Sequence, residues 1–177
     1  MQTQIAQPSF LKISKIVYAL AGSLFLALTA QLSIPLPFTP VPITGQSLGV
    51  VLLGLTLPRQ VAIGAVLAYL LEGSIGLPFF AGGAFGLARV LGPTGGFLLS
   101  FLPAVWVTGF LRDRKVSVFL NALLSHAVIF AIGCTWLSFY VGGAKAALAA
   151  GFLPFIPGTL IKTALLGISN RVFKVNS

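Results

Sequence analysis

Charge is what this sequence has least of. Only 7% of its 177 residues are charged, where a soluble domain carries about 25%. Too few remain to cover a water-facing surface, so lipid is the expected solvent. Acidic groups are scarcer still: Asp113 and Glu72 are the two carboxylates, which leaves no pair for acid–base work within one motif. A single cysteine, Cys134, excludes an intramolecular disulfide and any multi-cysteine metal site, and is read as a small apolar packing residue. There is one histidine, His126, eight residues before Cys134. That separation is about 12 Å along a helix, at about 1.5 Å per residue, too far for a nucleophile–base pair. No phosphate loop is present. Catalysis and a metal site are therefore not expected.

What is present is hydrophobicity. Apolar residues make up 57% of the chain and its mean hydropathy is +1.04. A bilayer crossing takes about 20 apolar residues. Six segments approach that length: Ile16–Ile34, Val41–Leu57, Val61–Pro78, Gly95–Leu111, Val118–Tyr140 and one inside Ala146–Val172. The first follows Lys12 and Lys15 but is longer than a signal-peptide core, so it is read as a retained helix. Breaks between segments have physical causes. Pro35, Pro37, Pro40 and Pro42 each remove a backbone N–H and restrict the preceding residue. Pro58-Arg59-Gln60 and Arg112-Asp113-Arg114-Lys115 are polar turns. Pro154, Pro157 and Gly158 interrupt the last apolar stretch, which puts the start of the final helix near Gly158 or Thr159. The expected fold is an all-α integral membrane protein with six transmembrane helices, in one transmembrane domain over residues 1–177. No repeat relates its halves, as an inverted-repeat carrier would show.

The net charge of +9 does not point to nucleic acid, because the basic residues lie in small groups between apolar runs rather than along one face. They read as topology. With the N-terminus inside, Lys12, Lys15, Arg59, Arg112, Arg114, Lys115, Arg171 and Lys174 are cytoplasmic, against Arg89 and Lys145 outside. Both termini are then cytoplasmic.

Unusual chemistry gathers toward the outer half. The connection from Gly76 to Gly96 is rich in glycine yet too apolar for a solvated loop; it either folds over the bundle to approach a ligand or simply packs. Lys162 stands about one turn into the last helix. An ionisable group there either snorkels to the interface or faces a cavity and pairs with an anionic solute. Thr159 shares its face three residues earlier and is also placed to cap the helix. Glu72, the carboxylate inside a span, makes a structural ion pair or accepts a ligand N–H. Asn121, Ser125 and His126 are read as inter-helix hydrogen bonders. In the first segment, Ala19, Ser23 and Ala27 recur every four residues, which lets another helix approach closely, whether from this chain or from a partner.

Four stretches, in order, resemble a known family. Pro40-Val41-Pro42-Ile43-Thr44-Gly45-Gln46-Ser47-Leu48-Gly49-Val50 resembles the P-V-P-I-T-x-Q-x-L-x-V segment of the BioY biotin transporters. Gly76-Leu77-Pro78-Phe79-Phe80-Ala81-Gly82-Gly83 and Leu91-Gly92-Pro93-Thr94-Gly95-Gly96-Phe97 resemble the next two signatures, and Phe155-Ile156-Pro157-Gly158 followed by Lys162 resembles the last. The resemblance implies a substrate-binding S-component of an energy-coupling-factor (ECF) vitamin importer in a prokaryotic plasma membrane. It implies a six-helix bundle, a biotin site near the outer face capped by the first connection, and no cofactor. It also implies partners: a transmembrane coupling subunit, touched by Ala19, Ser23 and Ala27, and two cytosolic ATPases. Another small vitamin, or a solitary carrier role, is the alternative. Where the family's last motif is D-x-x-K, this chain has Thr159 and Lys162; Ala84 stands where a polar Asn is common; Arg89 and Glu72 are charges outside the pattern. The expected substrate-binding residues are thus Lys162, Thr159, Glu72, Arg89, Ala84 and Gly83. Lys162 is favoured over Arg89 as the cation for the biotin carboxylate, with Glu72 and Thr159 as acceptors for its ureido N–H groups.

Overall fold

The computed structural model describes residues 9–168, with side chains over 14–167. Arg171, Lys174 and the end of the Ala146–Val172 segment lie outside the described residues, as does the side chain of Lys12. Helix α1 (Ser9–Gln31) leads into strand β1 (Ser33–Ile34), which pairs antiparallel with β2 (Ile43–Thr44). Between the strands run the four prolines. Lacking N–H donors they cannot extend a helix, and the chain returns as a short hairpin instead. That return takes Val41 to Thr44 out of helical conformation, so α2 (Gln46–Thr56) has 11 residues, fewer than the Val41–Leu57 expected from hydropathy. At about 1.5 Å per residue α2 is about 16 Å long, half the hydrocarbon thickness. The missing half is the extended Val41–Thr44 segment, with Val41 5% exposed inside the bundle.

Pro58 starts α3 (Arg59–Ser74), its carbonyl accepting from the N–H groups of Val61 and Ala62. The glycine-rich connection then holds a 3-10 turn (Ala81–Gly83) and the short helix α4 (Leu87–Leu91). Its course needs left-handed backbone at Gly76, Gly82, Gly83 and Gly86, with φ of 121°, 68°, 72° and 89°, which a side chain would strain. Phe80, 2% exposed, plugs the connection into the bundle edge-on to Tyr69, with ring centroids 5.5 Å apart.

Helices α5 (Gly95–Asp113) and α6 (Val118–Ser138) form the most extensive pairing, with α1 and α3 second. A buried polar clasp ties α5 to α6: the hydroxyls of Thr108 and Ser125 lie 2.7 Å apart, and Asn121 donates to the Thr108 carbonyl at 3.0 Å. Asn121 and Ser125 are inter-helix bonders as expected. His126 is not; its Nδ1 lies 2.8 Å from the carbonyl of Ala122 in its own helix. The charged turn after α5 also has a structural use. Arg112 donates to the carbonyls of Gly54 and Leu57, closing the C-terminal end of α2, while Asp113 accepts from Arg59 at 3.2 Å.

The last apolar stretch is broken into α7 (Ala144–Gly151), a 3-10 turn (Leu153–Phe155) and α8 (Ile156–Ile168). Helix α8 starts slightly earlier than the expected Gly158 or Thr159. Pro157 falls in its first turn, where a missing N–H has no intrahelical acceptor to lose. Segments 14–31, 95–113, 118–138 and 144–167 are long and apolar enough to cross a membrane. With α2 and α3 they make a six-segment helical membrane bundle. The face of α1 bearing Ile16, Val17, Leu24 and Leu28 is exposed, Leu28 by 62%, as lipid-facing positions are.

Candidate functional site

At one end of the bundle the two irregular connections close over a cavity. Its open space, counted out through the mouth into the surroundings, is about 840 Å³. The first connection supplies Val41, Pro42, Ile43 and Thr44, and α2 supplies Gln46 and Ser47. Phe80, Ala81, Ala84 and Arg89 come from the glycine-rich connection, and Thr94 from its end. Phe97, Leu98 and Phe101 project from α5, His126, Ile129 and Phe130 from α6. Phe155 stands just before α8, which adds Gly158, Thr159 and Lys162.

The walls are mainly apolar and include five phenylalanines. Phe155 stacks on Phe97 with centroids 6.5 Å apart and tilts against Phe130 at 6.3 Å, so α5, α6 and the entry to α8 meet in one apolar floor. The polar groups are few and fixed. Lys162 donates to the Thr44 carbonyl at 2.6 Å and to the Ser47 hydroxyl at 3.0 Å, tying α8 to the first connection. Thr44 is held in turn: its hydroxyl donates to Gln46 Oε1 at 2.9 Å, and Gln46 Nε2 donates to the Tyr69 hydroxyl. Tyr69 is fully buried on α3. A lysine ammonium has three N–H donors, so Lys162 keeps one for a solute. Arg89 is exposed at the mouth.

Four of the six residues expected to bind substrate line this cavity: Lys162, Thr159, Arg89 and Ala84. The other two do not. Glu72 sits on the side of α3 that meets α1 and accepts from the Ser23 hydroxyl at 2.6 Å. Its partner is a seryl hydroxyl within the bundle rather than a ligand. Gly83 makes the turn possible through its positive φ but borders open space, not the cavity. The small-residue stripe of α1 lies against this chain. Ser23 is 1% and Ala27 5% exposed, both covered by this chain, and Ala19 is half-buried close to Gly64 of α3. Ala19 and Ser23 meet α3, which is the within-chain alternative for the stripe.

Several polar residues of the cavity escaped the sequence reading, Gln46 and His126 among them. Gln46 was visible as the one amide in the Thr44-Gly45-Gln46-Ser47 signature, but its bond to Tyr69 spans 23 residues. His126 was assigned a structural bond, although an ionisable residue inside a span is a site candidate in its own right. Among the described residues, no group of three or more His, Cys, Asp or Glu side chains is placed to hold a metal.

A mainly apolar cavity with two cations and a handful of fixed polar groups, inside a helical membrane bundle, defines a membrane protein that holds a small organic solute. Comparison with known proteins narrows the class. Residues 1–175 match the BioY family. "Biotin transporter BioY" of Rhizobium etli is 37% identical over 172 residues, covering 90% of this chain and 92% of the relative. "Probable biotin transporter BioY" of Pyrococcus horikoshii is 41% identical over 145 residues, covering 80% and 86%. The crystal structure of the S-component for biotin from an ECF-type ABC transporter superposes with a TM-score of 0.82 at 29% identity, over 97% of this chain and 96% of that one. The chain belongs to the BioY family, a family of transporter components.

Proposed function

We propose that this protein captures biotin as the S-component of an ECF-type importer and passes it to the cytoplasm with a transmembrane coupling subunit and two cytosolic ATPases. The observation that carries the reading is the cavity itself: a mainly apolar pocket with a few polar groups, among them Lys162 and Arg89, in a chain similar to biotin transporters along nearly its whole length. Biotin has an apolar middle, a neutral ureido ring and a carboxylate on a flexible tail. Burying a neutral polar group with hydrogen bonds costs far less than burying a charge. The ureido ring therefore enters the deep end, where Lys162 gives its remaining N–H to the ureido oxygen and Thr159 stands beside it. The carboxylate stays at the wetter mouth with Arg89, whose guanidinium fork matches it in two hydrogen bonds. This reverses the roles expected of the two cations: Lys162 already gives two N–H groups to the protein, whereas the Arg89 guanidinium has no hydrogen bond or ion pair among the described residues. Calorimetric titration of the purified protein with biotin and a panel of other small vitamins tests the solute. Saturable heat with biotin alone is expected; a stronger response to another vitamin would contradict the assignment.

The cavity end faces outward in this reading and both termini face the cytoplasm, on the basic asymmetry of eight residues against two. Gln2→Cys and Asn176→Cys are expected to react with an impermeant thiol reagent only after the membrane is permeabilised. Labelling of either in intact cells would reverse the orientation.

A further inference from the structure

One buried polar atom of a cavity residue has no partner among the described residues. His126 is 1% exposed and lines the cavity from α6. Its Nδ1 lies 2.8 Å from the Ala122 carbonyl, a pure acceptor, so Nδ1 carries the hydrogen. In the neutral ring that leaves a lone pair on Nε2, on the side of the imidazole away from the helix backbone. Nε2 has no hydrogen-bond partner among the described residues. An orphaned buried acceptor costs about 1–3 kcal/mol, and native structures place such atoms where something else completes them.

We infer that His126 is a ligand-binding residue, its Nε2 accepting an N–H of the bound solute. The inference rests on the biotin reading above and supplies what that reading lacks. A ureido ring brings two N–H donors, and the carboxylate expected to receive one of them, Glu72, is engaged with Ser23 outside the cavity. Lys162 and Arg89 are donors and cannot replace it. Thr159 offers one hydroxyl, and His126 offers an acceptor that no described protein group engages. The Ala122 bond holds the imidazole in the needed tautomer and orientation before the ligand arrives, so little is lost in ordering it.

The test compares wild type, His126→Phe and His126→Gln for biotin and for the two biotin analogues methylated on one or the other ureido nitrogen. Phenylalanine keeps the ring volume without the acceptor; glutamine restores an acceptor on a flexible arm. His126→Phe is expected to bind biotin at least tenfold more weakly, one decade being about 1.4 kcal/mol. His126→Gln should recover part of the loss. One of the two N-methyl analogues should bind wild type at least about tenfold more weakly than biotin, and should bind His126→Phe no worse than biotin does, because the donor it lacks has no acceptor there. Equal biotin affinity in His126→Phe and wild type would overturn the role of His126 and leave the biotin reading standing. Full sensitivity of both analogues to the Phe substitution would also overturn it, since the ring would then act by shape. Should His126→Phe not fold, the two analogues on wild type and His126→Gln decide: neither analogue losing affinity refutes the hydrogen bond. A wild-type protein without affinity for biotin fails differently, by removing the reading on which the inference rests.

Discussion

Lys162→Ala is expected to weaken biotin binding at least tenfold, about 1.4 kcal/mol, and to do so equally for biotin and for biotin methyl ester. The size follows from two losses. The ligand forfeits a charge-assisted hydrogen bond, and the Thr44 carbonyl and Ser47 hydroxyl lose the ammonium that links them to α8. Insensitivity to the ester follows from depth: Lys162 faces the neutral end of the solute. Arg89→Ala should show the opposite pattern, a penalty for biotin that largely vanishes for the ester. Glu72→Gln is the control. Its carboxylate bonds Ser23 away from the cavity, so affinity should stay within about twofold, under about 0.5 kcal/mol, whatever happens to stability. Isothermal titration of the four proteins with the two ligands resolves all three statements. A Lys162→Ala penalty that disappears for the ester would move the carboxylate to Lys162 and turn the ligand end for end.

Gly96→Val is expected to abolish the folded state, or to lower its stability by at least about 3 kcal/mol, the upper end for overpacking a well-filled core. A Cβ on Gly96 would fall 2.1 Å from Cβ of Trp136 and 2.6 Å from its Cγ. Those atoms are anchored to the α6 backbone and cannot swing aside. Trp136 also donates through its indole N–H to the Gly92 carbonyl at 3.0 Å, so forcing α5 from α6 pulls away the end of the glycine-rich connection that roofs the cavity. Gly64→Ala makes the matched comparison. Its added Cβ would meet Ala19 at 3.5 Å, an ordinary contact, and should leave stability near wild type. Size-exclusion profiles and thermal unfolding in detergent read both. A Gly96→Val protein that unfolds at the wild-type temperature would show that the α5–α6 seam is looser than the structure describes.

How much of this was legible in the sequence depends on range. The membrane class follows from bulk composition and hydropathy, which depend on no contact at all. The breaks at Pro35–Pro42 and Pro58 follow from local backbone chemistry and stand where expected. Helix α2 was overextended because hydropathy cannot tell a buried extended segment from a buried helix; the β1–β2 pairing that claims Ile43 and Thr44 is set by Ser33 and Ile34, ten residues earlier. Lys162 and Thr159 were found because a charge near the start of an apolar helix is anomalous by itself. Glu72 stands outside the cavity although its anomaly was equally plain: its partner, Ser23, is 49 residues distant, on the small-residue stripe of the first helix. His126 was passed over because its lone pair becomes conspicuous only when the other ring nitrogen is seen to be engaged.

The central claim is that the cavity is a biotin site. Mass spectrometry of small molecules released on denaturing the protein, purified from cells grown with biotin and a full set of other vitamins, tests it most directly. Biotin in roughly one-to-one ratio with wild type, and depleted at least about tenfold in Lys162→Ala, is the expected result. A different vitamin released from wild type, or the same amount of biotin released from Lys162→Ala as from wild type, would contradict it.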